Sequence, residues 1–404
     1  MTLALTWRNL WRNRRRSLIT LSSVSFAVML AIVMGSLQKG VFDNLVNDVV
    51  SFYSGYIQVH QKGYWEEQVL DQSFAQDTQV LRRLDPLPGV RAIVPRLESF
   101  ALASSGNLTR GCLVAGTDKD REARVTRLPQ KMIGGQYLDG KGSGIILGEG
   151  LAAKLRVGVD DTLVLLGQGY QGSMAAGKYR ILGLLHFGAP ALNSSMVYMD
   201  MQTAQAFLGA EQRLTSLALA LDNPRDLARI QRQVEDSLGT GYEVMSWAAM
   251  MPEIENHIRA DRFSLGIMIG ILYLIIAFGL FSTLMMMMAE RRYEFGMLIA
   301  IGMQKKILAR MLLMEHFLLT ILGTLAGMAI SLPIVLYLKH RPLRFTGKVA
   351  EAYEQFGFEA VFPATVDGTI FLNQALIVMS LALVIALYPI LRVSRLDPVA
   401  AMKK

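Results

Sequence analysis

Charge and cysteine are both scarce in this 404-residue chain. Only 18% of residues are charged and 52% are hydrophobic, whereas an ordinary soluble domain carries about 25% charge. Something other than a water-soluble core must absorb the apolar residues. A single cysteine, Cys112, excludes an intramolecular disulfide and any zinc cluster built on cysteine. It reads as a small apolar residue in a strand. The five histidines, His60, His186, His257, His316 and His340, are scattered without HExxH spacing, and there is no Gly-x-Ser-x-Gly elbow. No catalytic residue, metal site or cofactor is therefore assigned, and the chain reads as non-enzymatic. The net charge of +8 would point to nucleic acid only if basic residues formed a face on a folded domain. Here they flank apolar runs instead.

A helix needs about 20 apolar residues to cross the roughly 30 Å hydrocarbon core of a bilayer. Four stretches meet that length: Ser17 to Leu37, Phe263 to Ala289, Met311 to Leu338 and Phe371 to Leu391. Only the third holds charge-capable residues, Glu315 and His316. They lie near one end of the span, which favours an interfacial placement over a proton relay. The segments 1–16, 290–310 and 392–404 hold fourteen Lys and Arg against three acids, Glu290, Glu294 and Asp397. The positive-inside rule makes them cytoplasmic. Both termini then lie inside, and residues 38–262 and 339–370 lie outside. The first span is too long for the apolar core of a signal peptide and reads as an uncleaved anchor. Ahead of it, Trp7, Leu10 and Trp11 recur at helical spacing among arginines, the pattern of a helix lying on anionic lipid.

The outer segment alternates short strand-like runs with helical stretches, so it is expected to be an α+β domain of two lobes. The strands are expected at Tyr56 to His60, Ala92 to Pro95, Leu113 to Ala115, Gly144 to Leu147, Thr162 to Leu166, Tyr179 to Leu185, Met196 to Met199 and Ser216 to Leu221. The helices are expected at Asp77 to Leu84, Met201 to Leu208 and Pro224 to Leu238. Two runs imitate nucleotide motifs. Gly172-Ser-Met-Ala-Ala-Gly177-Lys178-Tyr179 has tyrosine where a P-loop needs Ser or Thr, and it leads into a strand where phosphate binding needs a helix. Gly148-Glu-Gly150-Leu-Ala-Ala153 resembles a dinucleotide fingerprint, but no crossover of βαβ length follows. Neither is assigned to a nucleotide.

The second span has 27 uncharged residues, about 40 Å of helix. Pro252 suits the first turn of a helix and Glu253 and Glu255 suit its positive end. A continuous helix from Pro252 to Ala289 could carry motion across the membrane. Residues Glu290 to Gly302 mix charged and apolar side chains at helical spacing and end in glycine. They form either a docking helix or an interfacial turn. Gly323 and Gly327 make a small-xxx-small pair that admits close helix contact, with a partner or within the chain.

These residues together resemble the FtsX, LolC/LolE and MacB family of bacterial ABC permeases. The resemblance rests on Arg8-Asn-Leu-Trp-Arg-Asn13, Gly148 to Leu155 with Val159 to Thr162, and Trp247 before the second span. It rests further on Glu290-Arg-Arg-x-Glu294-Phe-Gly296 with Ala300-Ile-Gly302, Glu315 followed by Gly323 and Gly327, and Leu396-Asp-Pro-Val-Ala-Ala401. It implies a bacterial inner-membrane protein with a MacB-like periplasmic core domain. Glu290, Arg291, Arg292, Glu294, Phe295, Gly296, Ala300 and Gly302 would belong to a coupling helix seated in a separate ABC ATPase subunit dimer. Two permeases, identical or different, would pair around a two-fold axis. The cargo would be lipoprotein or another amphipathic molecule taken from the outer leaflet and passed to a periplasmic carrier. Two alternatives are an FtsX-like regulator of cell-wall hydrolases and a MacB-like exporter with a separate ATPase.

Overall fold

The structure is a computed structural model and describes residues 14–140, 142, 144–344, 346–347 and 361–394. The expected surface helix around Trp7 and Trp11 and the closing motif at Leu396 to Ala401 lie outside these residues, as do residues 345 and 348–360 of the 339–370 loop. In chain order the principal helices are α1 (Arg14–Val49), α2 (Thr78–Leu84), α3 (Lys119–Thr126), α4 (Glu149–Leu155), α5 (Met201–Leu208), α6 (Leu227–Leu238), α7 (Pro252–Glu290), α8 (Arg292–Ala300), α9 (Lys305–His340) and α10 (Gly368–Ser394). The strands are β1 (Ile57–Gln61), β2 (Phe74–Ala75), β3 (Val90–Ser105), β4 (Leu108–Thr117), β5 (Met132–Gly135), β6 (Ile145–Gly148), β7 (Thr162–Gln168), β8 (Met174–Leu185), β9 (Met196–Asp200), β10 (Arg213–Leu214), β11 (Ser216–Leu221), β12 (Tyr242–Ser246), β13 (Leu343–Arg344) and β14 (Val361–Phe362). The chain forms two compact units, one of residues 1–43, 257–344 and 361–404, the other of residues 44–256 and 345–360.

The helical unit contains the apolar helices. α1, α7, α9 and α10 are each long and apolar enough to cross a membrane. Among these, α7 runs unbroken for 39 residues from Pro252, one residue beyond the expected end. Glycine lets α1 and α9 approach closely. A Cβ at Gly323 would lie 2.8 Å from Val24 Cβ, and one at Gly327 would lie 2.6 Å from the Ser25 carbonyl oxygen. The small-xxx-small pair is therefore occupied within the chain. Val24, Ala27, Val28 and Ile32 of α1 join Ile276 and Leu280 of α7 and Val378 and Ala382 of α10 in one apolar cluster. At the other end of α10, Asp367 accepts from the Thr369 amide at 2.9 Å, capping the helix, and pairs with Lys39.

The β-rich unit is built on a ten-stranded sheet in the order β12-β1-β11-β3-β4-β9-β6-β8-β5. β7 pairs with both β3 and β8, so six strands close into a ring: β3, β4, β9, β6, β8 and β7. Two of its pairings, β4 with β9 and β6 with β8, are parallel. Period-two alternation fills the ring. Ala101 and Ala103 of β3, Cys112 and Val114 of β4, Leu163 and Leu165 of β7 and Val197 and Met199 of β9 all enter one buried cluster. Cys112 is thus a small core residue on a strand. β3 has 16 residues, where only Ala92 to Pro95 read as strand. Its first half pairs with β11 and its second half closes the ring. α6 covers the β12 side with Ile230, Val234 and Leu238, spaced four apart on one helical face.

The motif look-alikes take ordinary structural roles. Lys178 and Tyr179 lie within strand β8, and α4 after Gly148 is only seven residues long.

Candidate functional site

The segment between α7 and α9 is a short helix with two unlike faces. α8 spans Arg292–Ala300 and ends in a tight turn, where the Gly302 amide donates to the Ile299 carbonyl at 3.0 Å and the Met303 amide to Leu298 at 3.0 Å. Gly302 has φ +104, a backbone region that a β-carbon disfavours, so glycine is required for the chain to turn back. Phe295 and Gly296 face inward; Phe295 packs with Met287 and Met288 of α7, Leu308 and Leu312 of α9, and Val393 of α10. Tyr293, Met297 and Ile301 are instead 59%, 42% and 77% exposed. Spaced four apart, they make one apolar stripe.

Arg291 fixes this helix to its neighbours. Its Nε donates to Glu294 at 3.1 Å, its other nitrogen reaches Glu315 of α9 at 3.1 Å, and its guanidinium lies 5.5 Å from the Phe295 ring centroid. The residues expected at the site all lie on this helix or at its two ends. Arg291, Glu294, Phe295 and Gly296 seat the helix, Gly302 ends it, and Arg292 and Ala300 are exposed beside the stripe; Glu290 closes α7. Glu315 serves as the partner of Arg291, and Tyr293, Met297 and Ile301 are the surface residues that sequence reasoning missed. Their i, i+4, i+8 spacing was the available signal.

A second polar concentration lies in the β-rich unit and was not expected. The even-numbered residues of β3 share one face: Arg96, Glu98, Phe100 and Leu102. Arg96 is fully buried and donates to both Glu122 oxygens of α3, at 2.9 and 2.6 Å, and to the Tyr53 carbonyl at 2.5 Å. Thr117 and Thr126 hydroxyls also donate to Glu122, at 2.8 and 3.0 Å. Burial opposes the Arg96 charge, but the Glu122 carboxylate outweighs it and holds the guanidinium above its ordinary range. Glu98 accepts from Tyr53 and, at 3.1 Å, from Ser216. Tyr53 sits in the π-helical turn Val50–Ser54 that follows α1, a local irregularity found often at functional positions.

Comparison with known proteins identifies two regions of the chain. A model of the MacB-like periplasmic core domain matches residues 17–237, and one of the FtsX-like permease C-terminal region matches residues 266–398. The chain is similar to the lipoprotein-releasing system transmembrane protein LolC of Xylella fastidiosa, at 23% identity over 78% of each chain. It is similar to the LolC of Neisseria meningitidis at 22% identity over 97% of this chain and 95% of that one. The pyoverdine export ATP-binding/permease protein PvdT of Pseudomonas syringae is 23% identical over 98% of this chain but only 58% of its own length.

Proposed function

Since the chain belongs to the family of ABC transporter permeases that join a MacB-like periplasmic core domain to an FtsX-like permease region, we propose that it couples a separate ATPase subunit to movement of its outer domain. The exposed stripe of Tyr293, Met297 and Ile301 on a short braced helix carries this reading. An apolar ridge fixed by Arg291 to α9 is suited to enter a groove of a partner and transmit its displacement without bending. The segment 290–310 then faces the cytoplasm with both termini, in keeping with its basic residues. The β-rich unit works outside, with the β3-to-β9 ring and the β12-β1-β11 extension as its two lobes.

For cargo, the proposal is lipoprotein drawn from the outer leaflet of the inner membrane. Its support is the similarity to LolC proteins over most of both chains. In this reading two permeases, identical or different, form the complex, and a periplasmic carrier receives the cargo. The PvdT similarity supports a second reading, export of a small molecule. Purification of the tagged chain from its native cells in lipid nanodiscs tests the coupling claim. An ATPase subunit is expected in the preparation. Met297→Glu with Ile301→Glu is expected to lose it while the chain stays folded. A preparation with no ATPase, or unchanged recovery in the double variant, overturns the proposal. Crosslinking through the outer domain to lipid-modified protein, or to small molecules or a hydrolase instead, decides the cargo.

A further inference from the structure

The outward face of β3 changes character along its length. Arg96 and Glu98 are buried under Tyr53 and α3, yet Phe100 and Leu102, next along the same face, are 63% and 50% exposed. Strand pairing sets Leu113 opposite Phe100 and Leu166 opposite Leu102. These side chains line a groove of about 580 Å³ on the outside of the ring. Phe100 and Leu113 also line a second, smaller cavity of about 100 Å³, so groove and cavity adjoin at these two side chains.

The smaller cavity has the chemistry of a cation site. Glu98, His60, Tyr53, Tyr64 and Trp65 line it. The adjoining buried cluster sets two carboxylates, Glu98 and Glu122, against one guanidinium, Arg96, and so holds an excess negative charge. Its walls are aromatic. The His60 ring stacks on Tyr64 at 5.1 Å and lies 5.6 Å from Trp65. Glu243 holds this turn by accepting from the Gly63 and Trp65 amides at 3.2 and 2.8 Å. His60 Nδ1 lies 3.0 Å from the Thr215 carbonyl, which makes that nitrogen the donor and leaves Nε2 as an acceptor. Nε2 is buried and has no hydrogen-bond partner among the described residues. A buried acceptor without a donor is costly, and a ligand bearing N–H groups removes the cost.

We propose that groove and cavity together bind a single-chain amphiphile with a primary ammonium head. The apolar chain lies along Phe100, Leu102, Leu113 and Leu166. The ammonium enters between Trp65 and Tyr64, drawn by the rings and by Glu98, and donates to His60 Nε2. The inference concerns the outer domain alone and goes beyond the coupling reading; it stands if no ATPase is found.

Calorimetry with hexylammonium, on the full chain in nanodiscs and with empty nanodiscs subtracted, tests it. Saturable one-site binding is expected, tightening several-fold for each methylene added. Hexanol and hexyltrimethylammonium are expected to bind at least tenfold more weakly, the first for want of charge and the second for want of an N–H donor. Phe100→Ser lies on the surface and leaves folding intact, as circular dichroism will check; it is expected to weaken hexylammonium at least tenfold, as is Trp65→Ala. Absence of saturable binding, equal affinity for hexanol or the quaternary amine, or unchanged affinity in Phe100→Ser each overturns the proposal.

Discussion

Arg96 shows what a fully buried ion pair demands of single residues. Its guanidinium lies between the Glu122 carboxylate and the Tyr53 carbonyl with no exposed surface. Removing one member leaves the other charge buried and unpaired, at a cost of about 3–5 kcal/mol. Arg96→Met is expected to lower the stability of the β-rich unit by that order, measured by denaturant titration of the purified chain. Adding Glu122→Leu should recover part of the loss, and a double variant no more stable than Arg96→Met would remove the charge explanation. His60 makes a second, pH-dependent prediction. Burial lowers its pKa, against weaker opposing effects of the Thr215 carbonyl, Glu98 and Glu243. The unfolded chain therefore takes up this proton first as pH falls. The stability contributed by neutral His60 is complete above the unfolded pKa of about 6.5 and declines as pH drops through the lower folded value. His60→Gln should flatten the melting temperature between about pH 7 and 5, and an unchanged slope would show that other groups set the acid response. Neither residue's role was legible beforehand. Arg96 and Glu98 followed a run read as ending at Pro95, and their partners Tyr53, Glu122 and Ser216 are distant in sequence. Only pairing of the strands brings them together.

Elements were legible in proportion to how local their signals were. The four apolar helices were visible because a membrane span is written in one continuous run. α5 and β11 were located to the residue, since Met201–Leu208 ends at Gly209 with φ +59 and Ser216–Leu221 is a continuous apolar stretch. β3 was cut to a quarter of its 16 residues because its buried charges and exposed Phe100 break the apolar pattern. α3 was missed, although Asp118 caps it by accepting from the Asp120 and Arg121 amides at 3.1 and 2.9 Å. Its mostly charged sequence carries little apolar periodicity. The α8 stripe was half-legible: Gly302 and Arg291 stood out, but the outward set Tyr293, Met297 and Ile301 needed the inward set to be known. At the same scale, the close contact of α1 and α9 predicts the effect of adding carbon. Gly327→Ala places a Cβ 2.6 Å from the Ser25 carbonyl, and overpacking of this kind costs about 1–3 kcal/mol. Gly266→Ala on α7 meets nothing within 4 Å. Thermal melts in nanodiscs should drop for the first and not for the second; equal melts would mean that α1 and α9 separate freely in lipid.

At the scale of the whole molecule, the telling feature is that two helices, α1 and α7, each belong to both compact units. The division at residues 256 and 257 falls within α7, whose 39 residues make about 58 Å of unbroken helix. α8 follows directly, and Arg291 ties the junction to α9. A continuous hydrogen-bonded helix resists bending, whereas a flexible break in it lets either end move alone. Under the coupling proposal, ATP-driven displacement at Tyr293, Met297 and Ile301 reaches the β-rich unit only while α7 is intact. Inserting Gly-Gly between Ser264 and Leu265 should separate the two functions. The ATPase is expected still to copurify and to hydrolyse ATP within about twofold of the unmodified complex, because α8 and its braces are untouched. A fluorophore on Asn107→Cys, at the exposed turn between β3 and β4, reports the outer domain; Cys112, buried in the ring, stays unlabelled. Burial pushes the Cys112 thiol up to about 12, which further suppresses its reaction with the label. The unmodified complex should show a change in this signal on adding ATP, and the insertion should abolish it. Should the signal persist at full size in the insertion variant, α7 is not the transmitting element, and α1, which likewise runs past the division at residues 43 and 44, becomes the one to interrupt.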